Sequence, residues 1–272
     1  VILTEDGYIV TNAHVIADGQ SVLVALADAR QYEAELVGFD SAEDLAVLKA
    51  VDAEDLPTAV LGDSDECWVG DTVYAIGNPL GVELRGTLTQ GIISAIDRRV
   101  TMDGKAMTML QTTAALNNGN SGGPLINEYG QVIGINTMKI GAYVSSAGVE
   151  GLGFAIPSTT VKEIVEQLTS QGYVSGRPWL GIKGENFSSF YQRFYRVPAG
   201  LYITEVQPGS PAAEAGIVAG DILTRIDGES VSTMEALSNL LYAHQVGDSL
   251  SLVIYRAQGQ ATVTVTLTEN KG

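Results

Sequence analysis

The run Gly119-Asn120-Ser121-Gly122-Gly123-Pro124, inside the longer stretch Gln111 to Asn136, decides how this 272-residue chain is read. A serine between glycines on a tight turn exposes its hydroxyl while nearby backbone N–H groups stay free to face a substrate. Such a serine is a nucleophile only with a base within hydrogen-bond reach and a group that orients the base. A glycine-rich hairpin with a surface serine contains the same residues, so the rest of the chain has to decide between the two. Only two histidines, His14 and His244, can supply an imidazole base.

His14 lies in Tyr8-Ile9-Val10-Thr11-Asn12-Ala13-His14-Val15-Ile16, a strand-like run that carries the ring into a packed environment. Asp44 opens the apolar run Leu45-Ala46-Val47-Leu48, with Asp40 a rival acid four residues upstream. The order His, Asp, Ser is that of the chymotrypsin-type arrangement and differs from the subtilisin and α/β-hydrolase orders. His244 falls at the C-terminus of a helix predicted from Thr233, where the helix dipole favours positive charge and a structural role.

Three segments, Thr11-Asn12-Ala13-His14-Val15, Asp44-Leu45-Ala46-Val47-Leu48-Lys49 and Gly119-Asn120-Ser121-Gly122-Gly123-Pro124-Leu125, resemble the catalytic motifs of the HtrA/Deg family of serine proteases. The similarity runs over essentially the whole chain. It implies a mainly β fold: a chymotrypsin-like double β-barrel protease domain followed by a permuted PDZ domain of α+β type. The domains are expected at 1–172 and 179–272, with a linker over 173–178. The resemblance implies His14 as base, Asp44 as orienting acid and Ser121 as nucleophile, Asp44 being preferred over Asp40 because it occupies the motif position. The oxyanion hole is expected from Gly119, Asn120 and Ser121, with the N–H groups of Gly119 and Ser121 as donors. Leu116 and Ile140 are expected to line a small apolar specificity pocket.

Composition sets outer limits. With 15 basic and 32 acidic residues the formal charge is −17, which repels nucleic acid and anionic lipid. A single cysteine, Cys67, excludes an internal disulfide. Two histidines in different domains and one cysteine offer no plausible zinc set, so no metal or other cofactor is expected. No apolar run has the length of a membrane span. The chain opens at Val1 inside the family's first hairpin, so a membrane anchor is expected in an N-terminal segment not included in this sequence.

Short β-branched or alternating runs separated by Gly, Asp and Asn turns fill the first 156 residues. A helix follows, with Thr160 and Glu163 as a capping box and Gly172 as its stop. Beyond the linker, Ser210 with Pro211 caps a short helix, Thr233 to Ala243 forms an amphipathic one, and Ser249 to Leu267 makes a hairpin.

Gly209-Ser210-Pro211-Ala212-Ala213-Glu214-Ala215-Gly216 resembles the PDZ part of the same family, and Trp179-Leu180-Gly181-Ile182 occupies the place of its carboxylate-binding loop. N–H groups of such a loop can cradle a peptide C-terminus while the next strand adds the peptide to its sheet. Two residues depart from the family pattern: Thr113 stands where aspartate is usual, and Asn118 where proline is common. Asn120 cannot make the ion pair that activates trypsin-like zymogens, so activation is expected from movement of Pro79 to Gly86, Asp97 to Ala106, Asn117 to Asn120 and Met138 to Glu150. Arg98 is the candidate regulatory residue, with a solvated surface charge as the alternative. The expected protein is a serine endopeptidase that degrades unfolded or misfolded proteins outside the cytoplasm, binds peptide C-termini and forms a homotrimer. The alternative is a catalytically silent, peptide-sensing or chaperone-like binding protein.

Overall fold

A computed structural model of the chain describes residues 1–17, 19, 21–78, 85–102, 105–138, 151–186, 197–256 and 259–269. It divides into two compact units, one over Val1–Met102 and Ala106–Val174 and the other from Ser175 onward.

In the first unit, Tyr8–Thr11 (β1), Val22–Ala25 (β2), Gln31–Asp40 (β3) and Leu45–Ala50 (β4) form an antiparallel sheet in the order β1-β4-β3-β2. Strand β4 is buried on both faces apart from Lys49, which is why it reads as a continuous apolar run and not as an alternation. Thr72–Gly77 (β5), Thr87–Met102 (β6), Lys105–Thr112 (β7), Pro124–Ile126 (β8), Val132–Thr137 (β9) and Gly153–Pro157 (β10) close into a barrel in the order β10-β7-β6-β5-β8-β9. Among the described residues, closure is therefore complete only in the second of the two expected barrels.

Two departures from the expected elements bear on the site. His14 is in a short helix, Ala13–Ile16 (α1), and not in a strand, because β1 ends where the Ala13 N–H and the Asn12 side-chain amide turn onto the carbonyl of Asp44. The helix Ser158–Gln171 (α2) starts two residues before the expected capping box, and Pro157 provides no side-chain cap. Its first-turn hydroxyls reach across the fold instead, Ser158 to Gly62 O at 3.0 Å and Thr159 to Ser64 Oγ at 3.0 Å. The stop at Gly172 is as expected, left-handed at φ 83° with its N–H on Leu168 O.

Val161, Ile164 and Leu168 of α2 share one core with Val10, Leu45 and Val47 from the first sheet and Ile135, Phe154 and Ile156 from the barrel. Both sheets are thus welded by a single apolar cluster, and residues at their junction are held from two sides. Val174, expected in the linker, is buried in this cluster.

The second unit is built on Ile182–Asn186 (β12), Leu201–Val206 (β13), Ile222–Ile226 (β14), Ser249–Arg256 (β16) and Gly259–Thr266 (β17), adjacent in that order. Glu229–Ser230 (β15) pairs with β14, and Pro178–Trp179 (β11) pairs with Thr268–Glu269 (β18). Helix Pro211–Glu214 (α3) begins at the expected cap, Ser210 Oγ accepting from Ala213 N, and Met234–Tyr242 (α4) begins one residue later than expected, Thr233 serving as its cap with Oγ1 accepting from Ala236 N. The core of this unit is Leu180, Leu201, Ile203, Leu223, Leu237 and Leu252 with their neighbours. His244 lies just beyond α4, its Nδ1 3.6 Å from Asp248 Oδ2.

Candidate active site

His14, Asp44 and Ser121 come from three different connections: α1 after β1, the turn before β4, and the turn that leads into β8. Asp44 has a left-handed backbone, φ 54°, a conformation that aspartate tolerates better than most side chains. Its carbonyl accepts from Ala13 N and from Asn12 Nδ2 at 3.0 Å, and its Oδ1 accepts from His14 N at 3.0 Å. Oδ2 lies 2.7 Å from His14 Nδ1 and accepts from Thr137 Oγ1 at 3.2 Å. A carboxylate only accepts, so Nδ1 carries the proton in this pair and Nε2 is left as the basic nitrogen. Asp40 serves the backbone instead. Its carboxylate takes the N–H groups of Ala42 and Glu43 and closes the turn after β3.

The nucleophile turn is fixed at several points. Gly119 and Gly122 have φ of 102° and 77°, which L side chains rarely adopt. A Cβ on Gly122 would fall on Thr11 Oγ1, so the turn packs directly against the strand that leads to His14. Gly119 O accepts from Asn78 N at 2.9 Å, and Asn120 N donates to Asn117 O at 3.0 Å. That last bond occupies the Asn120 N–H, which is not one of the two expected donors. The N–H groups of Gly119 and Ser121 have no acceptor among the described residues. His14, Ser121, Gly119, Asn78, Asn118, Val15 and Met138 line one cavity of about 540 Å³.

Ser121 Oγ accepts from Met138 N at 2.9 Å, and no hydrogen bond joins it to His14 among the described residues. Thr137 and Met138 thus touch the acid and the nucleophile respectively. Neither stands out in the sequence, because their partners lie 93 and 17 residues away and a Thr-Met pair at a strand end carries no local signature. Leu116 packs on the barrel core and against Gly153 and is not among the residues lining the cavity. Ile140, most of Pro79 to Gly86 and most of Met138 to Glu150 lie outside the described residues. Arg98 Nε donates to Gln111 Oε1 at 3.1 Å, so this guanidinium is tied to the barrel wall. Thr113 is tied to β6 through both its N–H and its hydroxyl.

In the second unit, Trp179 ends β11 and Ile182 opens β12. Between them Leu180 O and Gly181 O accept from Ala212 N and Gln207 N, while the N–H groups of Leu180 and Gly181 have no acceptor among the described residues. Gly181 has φ 81°, and a Cβ there would fall on Ser210 Cβ.

A His–Asp pair facing a glycine-bound serine at the junction of two β-sheets, followed by a separate sheet-and-helix unit, defines a trypsin-like peptidase with an appended PDZ domain. Residues 1–135 match the trypsin-like peptidase domain and residues 202–256 the PDZ domain. The chain is 43% identical over 97% of its length to the serine protease Do-like HtrA of Lactobacillus helveticus, covering 66% of that protein. It is 40% identical to the HtrA of Lactococcus lactis subsp. cremoris, over 97% of this chain and 68% of that one. Identity to the probable periplasmic serine endoprotease DegP-like of Halomonas elongata is 42%, over 98% of this chain and 55% of that one. Among solved structures, an HtrA-type protease AlgW with decapeptide matches with TM-score 0.61 and 36% identity over 100% of this chain and 82% of that one. The serine endoprotease from Yersinia pestis matches with TM-score 0.58 and 37% identity over 99% and 88%. This chain belongs to the HtrA family of Do-like serine proteases. It spans just under two thirds or less of the length of several of these relatives.

Proposed function

We propose that this chain is a serine endopeptidase acting on unfolded or misfolded proteins outside the cytoplasm. The observation that carries the reading is the 2.7 Å His14–Asp44 pair, with His14, Gly119 and Ser121 lining one cavity and the N–H groups of Gly119 and Ser121 without an acceptor among the described residues. In the reaction, Ser121 Oγ turns from Met138 N to His14 Nε2, gives up its proton there and attacks the peptide carbonyl. Asp44 stabilises the imidazolium that forms, and the N–H groups of Gly119 and Ser121 hold the oxyanion. His14 then protonates the leaving amine, and water resolves the acyl enzyme by the same route in reverse.

The PDZ unit receives a peptide C-terminus, the carboxylate on the N–H groups of Leu180 and Gly181 in the Trp179–Ile182 loop and the peptide along β12. Occupancy there shifts the loops around Ser121 towards the active arrangement, with Arg98 as the candidate relay. Relatives named periplasmic support an extracytoplasmic location. Homotrimer assembly and an N-terminal anchor complete the reading. No described helix is long and apolar enough to cross a membrane.

The test is hydrolysis of unfolded casein by this chain and by Ser121→Ala, with and without a hydrophobic peptide bearing a free C-terminus. Activity that vanishes in the variant and rises with peptide supports the reading, and equal activity in both proteins removes Ser121. One observation favours the silent, peptide-binding alternative: the hydroxyl of Ser121 is engaged by Met138 N and not by His14. A serine-reactive phosphonate separates the two, since it labels only a serine that His14 can deprotonate.

A further inference from the structure

Asn136, in β9, is fully buried and makes three hydrogen bonds to three consecutive residues of the nucleophile turn. Its carbonyl accepts from Gly122 N at 3.0 Å, its N–H donates to Gly123 O at 2.9 Å, and its Nδ2 donates to Pro124 O at 2.8 Å. The two backbone bonds would survive any substitution that keeps the strand. The third belongs to the side chain alone. Stability by itself gives little reason to retain this amide, because its Oδ1 has no partner among the described residues and a buried unsatisfied acceptor is unfavourable. The turn it grips has no slack elsewhere, since a Cβ on Gly122 would meet Thr11 Oγ1 and one on Gly123 would meet Ile76 O. The next two residues of the same strand end reach Asp44 Oδ2 and Ser121 Oγ.

We propose that Asn136 is a positioning residue for Ser121. Its amide holds the Pro124 carbonyl, which fixes the angle at which the turn enters β8 and so places Ser121 Oγ and the Gly119 and Ser121 N–H groups relative to His14. The side chain acts through the turn and does not touch substrate. An error of about 1 Å in such a placement costs on the order of a hundredfold in rate. The inference rests on Ser121 being the nucleophile.

The experiment compares the whole chain with Asn136→Asp, which keeps the shape and opposes a carboxylate to the Pro124 carbonyl, and with Asn136→Ser, which covers the case in which the charged variant does not fold. Rates are measured on a fluorogenic peptide and divided by the number of active sites titrated with a serine-reactive phosphonate. The expected result is a fall in kcat per titrated site of roughly ten- to a hundredfold with KM changed by less than about threefold. A variant with fewer titratable sites but unchanged kcat per site would show a purely structural role and overturn the proposal. Ser121→Ala is the control: if it retains turnover, the nucleophile assignment falls and this inference with it. If it is inactive while both Asn136 variants keep their kcat, only the positioning role is lost.

Discussion

Asp44 and Asp221 are both buried aspartates that sit beside a turn and a strand, yet their partners differ in kind. Asp221, at the start of β14, is gripped by Arg256, with Nε on Oδ1 at 2.8 Å and Nη2 on Oδ2 at 2.8 Å, and it also accepts from Val218 N. Donating these hydrogen bonds to Asp221 holds the Arg256 guanidinium above its already high ordinary pKa. The guanidinium is always charged and presents a planar fork to the carboxylate, so the pair staples β14 to β16. Asp44 faces an imidazole, a hydroxyl and a backbone N–H, and no guanidinium or ammonium is bonded to it among the described residues. In the proposed reaction such a carboxylate would offset the charge that arises when the ring takes up a proton. Burial alone therefore does not distinguish the two aspartates; the kind of side chain that each one holds does.

Asp44→Asn breaks this comparison most sharply. Asparagine tolerates the left-handed backbone and keeps the shape, so the thermal midpoint should stay close to that of the parent. The ring would be left in the wrong tautomer, and kcat should fall by about 10⁴. An activity loss explained wholly by unfolding would place Asp44 with Asp221 as a staple. The reciprocal change, Asp221→Asn, should leave cleavage of a short peptide by the first unit untouched while costing the second unit about 2 kcal/mol. Fully buried pairs cost more, about 3–5 kcal/mol, but Arg256 reaches solvent. Denaturant titration with a probe in the second unit reads this directly.

A smaller effect sharpens the point from the same unit. Ser210→Ala removes the side-chain acceptor at the start of α3 and should cost about 1 kcal/mol, again without change in kcat. The smallest expected effect concerns Cys67, a buried titratable group with acidic neighbours. Burial first, then the negative charges of Asp71 and Asp63, push its thiol up to about 11. The folded state therefore keeps a proton that the unfolded chain loses at lower pH. Stability is fully present below the ordinary thiol pKa and should decline as pH rises from about 9 towards about 11. Cys67→Ser should flatten that part of the profile, and a native thiol that alkylates readily at pH 8 would contradict it.

Most of the architecture is legible in the sequence because its signals are local. The cap at Ser210, the stop at Gly172 and the three short motifs each need only their own neighbours in the chain. What the sequence hides depends on partners far away along it. His14 looks like part of a strand because Tyr8 to Val10 is apolar, and the break comes from the Asp44 carbonyl 30 residues on. The capping box at Thr160 is a sound local pattern that loses to Ser158 and Thr159, whose hydroxyls find Gly62 and Ser64. Asn136, Thr137 and Met138 read only as the end of a strand, and their meaning appears when the barrel closes.

The contact between Gly38 and Gly172 has a practical corollary. A Cβ on Gly38 would strike the Gly172 carbonyl, so the end of α2 lies flush on β3 with no side chain between them. The helix, together with Val174, caps the apolar cluster of the first unit. A polypeptide ended just after Val174 would carry its own seal and expose no fresh core. The segment from Ser175 to Arg177 is thus the natural place to cut the two units apart, or to splice in spacers of other lengths and ask how tightly one unit governs the other.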